Sequence, residues 1–215
     1  MTGPQRGGWT ASVGEPTRLI LLRHGQTPSS VRRLYSGRGN PALTEIGHAQ
    51  AAGAAGLLAS TGIDAIVCSP LDRARQTADE VNVGRGLDFR IDEGLIETDF
   101  GEWEGLTFGQ ARDRDPELHG RWLGDTSVAA PGGESFDEVH ARVEAALRRI
   151  LAERPGGTVL VVSHVTPIKT LLRIALDAGP QLLYRLHLDL ASISIADFYP
   201  DGGASVRLVN RTAQL

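Results

Sequence analysis

Short continuous apolar runs alternate along this chain with longer segments in which apolar residues recur every three or four positions. Residues 17–22 culminate in Leu19-Ile20-Leu21-Leu22, residues 64–68 form a second run, and Thr158-Val159-Leu160-Val161-Val162 a third. Strands that are apolar throughout, rather than at alternate positions, are those buried on both faces, as in parallel sheets. Residues 87–91 read as a further, weaker strand. Between these runs, residues 44–60 are Ala-rich and helical in pattern, with Thr44 as the N-cap. Ser69-Pro70 predicts an N-cap followed by proline in the first helical position, opening a helix to about Val81. Thr107 and Ser135 each stand three positions before a Gln or Glu, the spacing of a capping box. After Ser135, the residues Phe136, Val139, Val143, Leu147, Ile150 and Leu151 build one apolar helix face reaching Arg154. Thr166-Pro167 repeats the N-cap-plus-proline start. Two β-rich stretches, 191–199 and 204–210, flank Asp201-Gly202-Gly203 and predict a hairpin, whose outer strand offers an edge for pairing with a second copy in a homodimer.

Strand–helix alternation of this kind predicts an α/β fold: three layers, α/β/α, around a mostly parallel central sheet. In such sheets ligands bind beyond the carboxyl ends of the strands. Three segments run strand, loop, helix: Leu22 into Arg23-His24, Cys68 into Ser69-Pro70-Leu71-Asp72-Arg73, and Val162 into Ser163-His164. Parallel strands bring all three loops to one edge.

Composition narrows the function. The chain has 215 residues, 41% hydrophobic and 22% charged, which suits one soluble globular domain. A net charge of −4 provides no basic footprint for nucleic acid or for an anionic membrane surface. No apolar segment approaches membrane-spanning length. Cys68 is the only cysteine, which rules out an intrachain disulfide and makes a reducing, cytoplasmic compartment the expectation. Residues 1–16 are rich in Gly, Pro, Ser and Thr and read as a flexible leader or linker remnant, leaving 17–215 as the folded domain.

The candidate chemistry is phosphoryl transfer without a metal or organic cofactor. It needs a nucleophile, cations and N–H donors for the spread negative charge, and an acid for the departing oxygen. A neutral imidazole is a competent nucleophile near pH 7, and a phosphohistidine intermediate divides the reaction into two easier steps. His24 is placed to attack, Arg23 and Arg73 to clamp phosphate with planar guanidinium forks, and His164 to donate. Gly25 and Thr27, in the loop after His24, and the helix starts near Ser69 and Thr166 are further candidates for phosphate contact. For the acid, Glu97 is the leading candidate, with Asp99, Glu102 and Glu104 competing; chemistry alone does not choose among them. His48, His119, His140 and His187 read as surface or partly buried structural residues, and none gives a metal-site spacing. A cysteine phosphatase would need an arginine six positions after Cys68, where the chain has Ala74.

Leu22-Arg23-His24-Gly25-Gln26-Thr27, Gly47-His48-Ala49-Gln50-Ala51, the segment from Ser69 to Ala78, Glu97-Thr98-Asp99-Phe100-Gly101-Glu102-Trp103-Glu104-Gly105, Pro131-Gly132-Gly133-Glu134-Ser135 and Val162-Ser163-His164 occur in order. Together they resemble the histidine phosphatase superfamily, in its phosphoglycerate-mutase-like branch, over about residues 17–199. The resemblance implies that His24 is phosphorylated, that Arg23, Arg73 and His164 form the phosphate pocket, and that Glu97 is the proton donor. Within the branch the chain looks most like α-ribazole-phosphatase-like proteins and the acid phosphatase domain that follows an RNase H domain in actinobacterial bifunctional proteins. The leader would fit such a fusion. Two departures stand out: Ser30 replaces an asparagine common in the branch, and Gly37-Arg38-Gly39-Asn40-Pro41 lacks a frequent aspartate. Both are expected to leave the core pocket alone and to alter substrate contacts around it.

The implied activity is hydrolysis of a small phosphomonoester, of acid phosphatase type, with α-ribazole phosphate as one candidate. A phosphoglycerate mutase is the rival enzyme, since it would need further basic contacts; between Gly105 and Pro131 the chain offers Arg112, Arg114 and Arg121 interleaved with acids. A phosphate-recognising module without turnover is the rival outside enzymes, and the presence of His24, Glu97 and His164 together weighs against it. Specificity is expected from loops 26–42 and 106–130.

Overall fold

The computed structural model describes residues 14–87 and 89–213, so most of the expected leader lies outside the described residues. The chain runs β1 (Thr17–Arg23), α1 (Pro28–Val31), α2 (Glu45–Leu57), β2 (Ala65–Cys68), α3 (Asp72–Asn82), β3 (Phe89–Ile91), α4 (Phe108–Arg114), α5 (Pro116–Trp122), α6 (Phe136–Glu153), β4 (Thr158–Ser163), α7 (Val165–Ala175), α8 (Leu182–Arg185), β5 (Ile193–Phe198) and β6 (Ala204–Arg211). The strands form one sheet in the order β3-β2-β4-β1-β5-β6. The first four are mutually parallel, while β5 runs antiparallel to both β1 and β6. The expected hairpin is therefore β5–β6, and β6 is a sheet edge.

Successive side chains of a strand point to opposite faces, and the core divides accordingly. Leu19, Leu21, Val159 and Val161 pack on one face against the apolar stripes of α6 and α7, including Val139, Val143, Leu147, Ile168 and Leu171. Ile20, Leu22, Leu160 and Val162 pack on the other against Ala54 and Leu58 and the Ala74, Ala78 and Val81 stripe of α3. This double burial is why the central strands are apolar throughout. A third cluster, built around Tyr35, Trp103, Trp122 and Phe136, lies outside the sheet sandwich and carries α4 and α5.

Thr44, Thr107 and Ser135 cap their helices as expected, the latter two with complete capping boxes. The other two helix starts are displaced. α3 begins at Asp72 behind Leu71, not at Ser69-Pro70, because the Ser69 hydroxyl is held by His164 and the Asp72 N–H is capped by Asn40 Oδ1 at 2.8 Å. α7 begins two positions earlier than Thr166 predicts, with His164 at the N-cap and Pro167 still inside the first turn, where its missing N–H costs nothing. The segment after Thr107 forms two short helices, broken at Asp115-Pro116. The short helix α1, with its Thr27–Ser30 capping box, is an element the apolar pattern does not announce.

Candidate active site

Strand register explains why residues so distant in sequence meet. β1 and β4 are neighbours with Arg23 opposite Ser163, so the next residue of each, His24 and His164, leaves the sheet side by side. The His24 N–H donates to Ser163 O at 3.0 Å, which fixes the exit of β1. The two imidazole rings stand 5.1 Å apart between centroids, and both are buried. β2 pairs with β4 one position lower, Cys68 opposite Val162, which sets Ser69 beside the same point.

The hydrogen bonds define what each ring can do. His24 Nδ1 lies 2.7 Å from Gly25 O, and a carbonyl only accepts, so the proton sits on Nδ1 and Nε2 keeps its lone pair. His164 Nε2 lies 2.6 Å from Ser69 Oγ, while its Nδ1 is buried without a protein partner. Burial first, then the guanidiniums of Arg23 and Arg73, holds His24 well below the ordinary histidine pKa. His164 is lowered in the same way, by burial and then chiefly by Arg73 and His24. Both rings are thus neutral at pH 7.

Arg23 is anchored at one end, donating to Leu188 O at 2.6 Å, and its Nε is a second buried donor without a protein partner. Burial draws its pKa down to about 10, against the pull of Glu97. Arg73, 1% exposed, is oriented by three carbonyls, those of Ser36, Gly37 and Gly39. The segment 37–41 thus reaches the core pocket through its backbone, whose carbonyls help aim Arg73. Gly25 serves the site through His24, because its N–H is engaged by Thr77 Oγ1 at 3.1 Å and its C=O by the imidazole. A side chain there would place Cβ 2.4 Å from Gly47 O, so the loop can lie on α2 only as glycine. Thr27 is buried, caps α1 and lines the cavity described below.

Geometry separates the four competing carboxylates. Glu97 is buried, accepts from the N–H groups of Thr98 (2.8 Å) and Thr166 (3.3 Å), and faces the cavity. Glu104 instead binds the N–H groups of Gly37 and Arg38, Asp99 accepts from Gly101 N, and Glu102 is an exposed partner of Arg114. Arg142 fastens the Glu97 segment from behind, donating to the carbonyls of Gly94, Ile96 and Glu97. Its fork is closed by Glu134, which also takes the Asp99 N–H. Glu134 lies in the Pro131-Gly132-Gly133-Glu134-Ser135 motif, so that motif had a signal in sequence; Arg142, on the flank of an apolar helix face, had none.

From His24 opens a cavity of about 650 Å³, reached by Arg23, His24, Thr27, Ser30, Glu97, Thr166 and Lys169 at its polar end and walled mainly by aromatic and aliphatic side chains elsewhere. His119, expected to be structural, is buried in that wall with Nε2 bonded to Tyr35 OH at 2.9 Å. Burial lowers the Lys169 pKa, and its ammonium donates to Leu183 O. Arg112, Arg114 and Arg121 do not line the cavity. Cys68 is fully buried at the end of β2, and burial pushes its thiol pKa up, which keeps it unreactive. Among the described residues, no group of three His, Cys, Asp or Glu side chains could hold a metal ion, and no helix is long and apolar enough to cross a membrane.

A profile of the histidine phosphatase superfamily (branch 1) matches residues 19–211. The chain belongs to that superfamily. It is 62% identical over 213 residues to the "Bifunctional protein Rv2228c" of Mycobacterium tuberculosis, covering 99% of this chain and 58% of that protein. The chain thus spans little more than half the length of this relative and of two further curated relatives that it matches at the same identity. It is 34% identical to the adenosylcobalamin/α-ribazole phosphatase of Salmonella typhimurium, over 91% of this chain and 97% of that one. Among solved structures, the α-ribazole phosphatase of Shigella flexneri aligns with a TM-score of 0.83 at 31% identity, covering 91% of this chain and 96% of the other. These histidine phosphatases share with this chain the three-layer sandwich and mostly parallel sheet that the strand pattern predicts.

Proposed function

We propose that this domain is a metal-independent phosphomonoesterase that works through a phosphohistidine on His24. The observation that carries the reading is the pairing of a buried, neutral His24, Nε2 bare, with three donors around it: Arg23, Arg73 and the unpartnered Nδ1 of His164. A buried donor without an acceptor is costly, and two beside one nucleophile suit an oxyanion. With the Ser69 hydroxyl donating into Nε2, the single proton of neutral His164 falls on Nδ1, free to bind a phosphate oxygen.

In the first step His24 Nε2 attacks phosphorus, the ester P–O bond breaks, and Glu97 hands its proton to the leaving oxygen. The Nδ1 proton of His24 stays on Nδ1, donated to Gly25 O. In the second step water attacks phosphorus, the N–P bond breaks, and Glu97 takes back a proton from the water. The alcohol and inorganic phosphate are the products. The lowered pKa of His24 favours the neutral nucleophile below the ordinary histidine range, which supports an acid phosphatase. The absence of Arg112, Arg114 and Arg121 from the cavity supports transfer to water over the return to an isomer required of a mutase. The relatives' names include α-ribazole, phosphoserine and glucosyl-3-phosphoglycerate phosphatases, so they do not agree on a substrate. α-Ribazole phosphate is the first to assay, and a lone, buried cysteine fits work in the cytoplasm. Alkali-quenched, acid-labile but base-stable ³²P-labelling of the protein during turnover is expected, with label and turnover both absent in His24→Ala. Turnover in that variant would refute the assignment.

A further inference from the structure

Although only 5% of the residues are aromatic, the chain concentrates them above the proposed phosphate site. The cavity wall includes Tyr35, Phe100, Phe108, Trp122, Phe136 and Tyr184, drawn from loops and helices between positions 35 and 184. Their rings are braced against each other, Tyr35 on Phe108 at 4.6 Å and 84°, Trp122 on Phe136 at 5.0 Å and 44°. The phenol groups are already satisfied: Tyr35 OH by His119, and Tyr184 OH by donation to Trp122 O at 3.0 Å. What remains for a ligand is ring surface and one polar group, the buried Trp122 Nε1–H, which has no protein partner. Phe108 and Leu123 line the same cavity yet are 57% and 51% exposed, so large apolar groups at the start of α4 and just past the end of α5 meet solvent around this opening. The cations that line it among the described residues, Arg23 and Lys169, feel each other and Glu97, which places them at the polar end.

We propose that this cavity selects phosphomonoesters whose alcohol carries a large apolar, ring-bearing group and no second anion. The inference rests on the phosphatase reading above and deepens it. With phosphate held between His24, Arg23 and Arg73, the alcohol projects past Glu97 into the aromatic walls, where a ring sheds its water and a carboxylate finds no guanidinium. Preformed, mutually packed rings lose little conformational freedom on binding, so the buried area is converted efficiently into kcat/KM.

The test compares 2-(naphthalen-2-yl)ethyl phosphate, ethyl phosphate and O-phosphoserine by phosphate release. The first two leave as alcohols of similar basicity, so the chemical step is matched and the ratio of kcat/KM reports the cavity. Withdrawing roughly 80 Å² of ring surface at about 25 cal/mol per Å² corresponds to about a 30-fold preference for the naphthyl ester. Phe108→Asp and Leu123→Asp, at positions more than half exposed, are expected to lower that ratio at least about fivefold. Parity between naphthyl and ethyl esters, preference for phosphoserine, or a ratio unmoved by either variant overturns this inference while leaving the phosphatase reading intact. No phosphate from any of the three, nor from p-nitrophenyl phosphate, removes both.

Discussion

Replacing Arg142 with Met isolates the device that holds Glu97 in place. Methionine retains much of the aliphatic stem and deletes the fork, which removes the donors to Gly94 O (2.9 Å), Ile96 O (2.6 Å) and Glu97 O (3.1 Å) and both contacts to Glu134. A hydrogen bond from a charged donor contributes about 1.5–3 kcal/mol, and breaking a buried ion pair costs about 3–5 kcal/mol. Two features hold the loss to the lower part of that range. Arg142 is 20% exposed along its side chain, so water can reach some of the freed carbonyls, and Glu134 keeps the Asp99 N–H and Arg38. The expected destabilisation is therefore about 3 kcal/mol by urea unfolding at pH 7. The functional effect is separable. Once the carbonyl of Glu97 is released, its carboxyl no longer stands at a fixed distance from the leaving oxygen, and a displacement of about 1 Å costs about 100-fold. That loss is expected in kcat for an alkyl phosphate and is expected to be under about tenfold for p-nitrophenyl phosphate, whose leaving group needs no proton. Arg142→Lys restores a point charge without the fork and is expected to recover stability in part and the leaving-group discrimination little. Destabilisation below about 1 kcal/mol, or equal loss on the two substrates, would show that Arg142 does not position the acid.

Glu97→Gln itself is expected to reduce alkyl phosphate turnover about 100-fold or more with p-nitrophenyl phosphate much less affected; a uniform loss would assign the acid elsewhere. The buried, neutral histidines also set an acid limit on stability. Their folded pKa values lie below the unfolded value of about 6.5, so the unfolded state binds more protons as pH falls through 6.5, and each ring removes about 0.7 kcal/mol per pH unit there. Unfolding free energies at pH 7.5, 6.5 and 5.5 are expected to fall by about 1.4 kcal/mol less across that range in His24→Ala, and identical pH dependence would contradict a neutral His24. Gly25→Ala is expected to cost about 2–3 kcal/mol and most of the activity, because its Cβ would sit 2.4 Å from Gly47 O. Gly56→Ala, with open space around the new methyl in α2, is expected to be neutral or to stabilise by up to about 1 kcal/mol, and similar melting shifts for the two would argue against the close approach.

Where a structural feature depends on neighbours in sequence, the chain announces it. The caps at Thr44, Thr107 and Ser135 are satisfied within three residues, and their helices start where the spacing predicts. Ser69 and Thr166 carry the same local signals, but their helices start elsewhere. The Ser69 hydroxyl is claimed by His164, 95 positions on, and the Thr166 N–H by Glu97, 69 positions back. A short-range propensity of about 1 kcal/mol yields readily to such contacts.

From sequence alone came the sheet, with its doubly buried strands, and the meeting of Arg23, His24 and His164, because adjacent parallel strands in register deliver their exits to one point whatever the loops do. Periodicity and strand order are properties of short segments repeated along the chain. Which carboxylate faces the histidines, which backbone aims Arg73, and the aromatic walls of the cavity were decided in three dimensions. Those depend on loops closing over separations such as the 34 residues between Gly39 and Arg73 or the 84 between Tyr35 and His119, and no local pattern encodes which side chains such closures bring into contact.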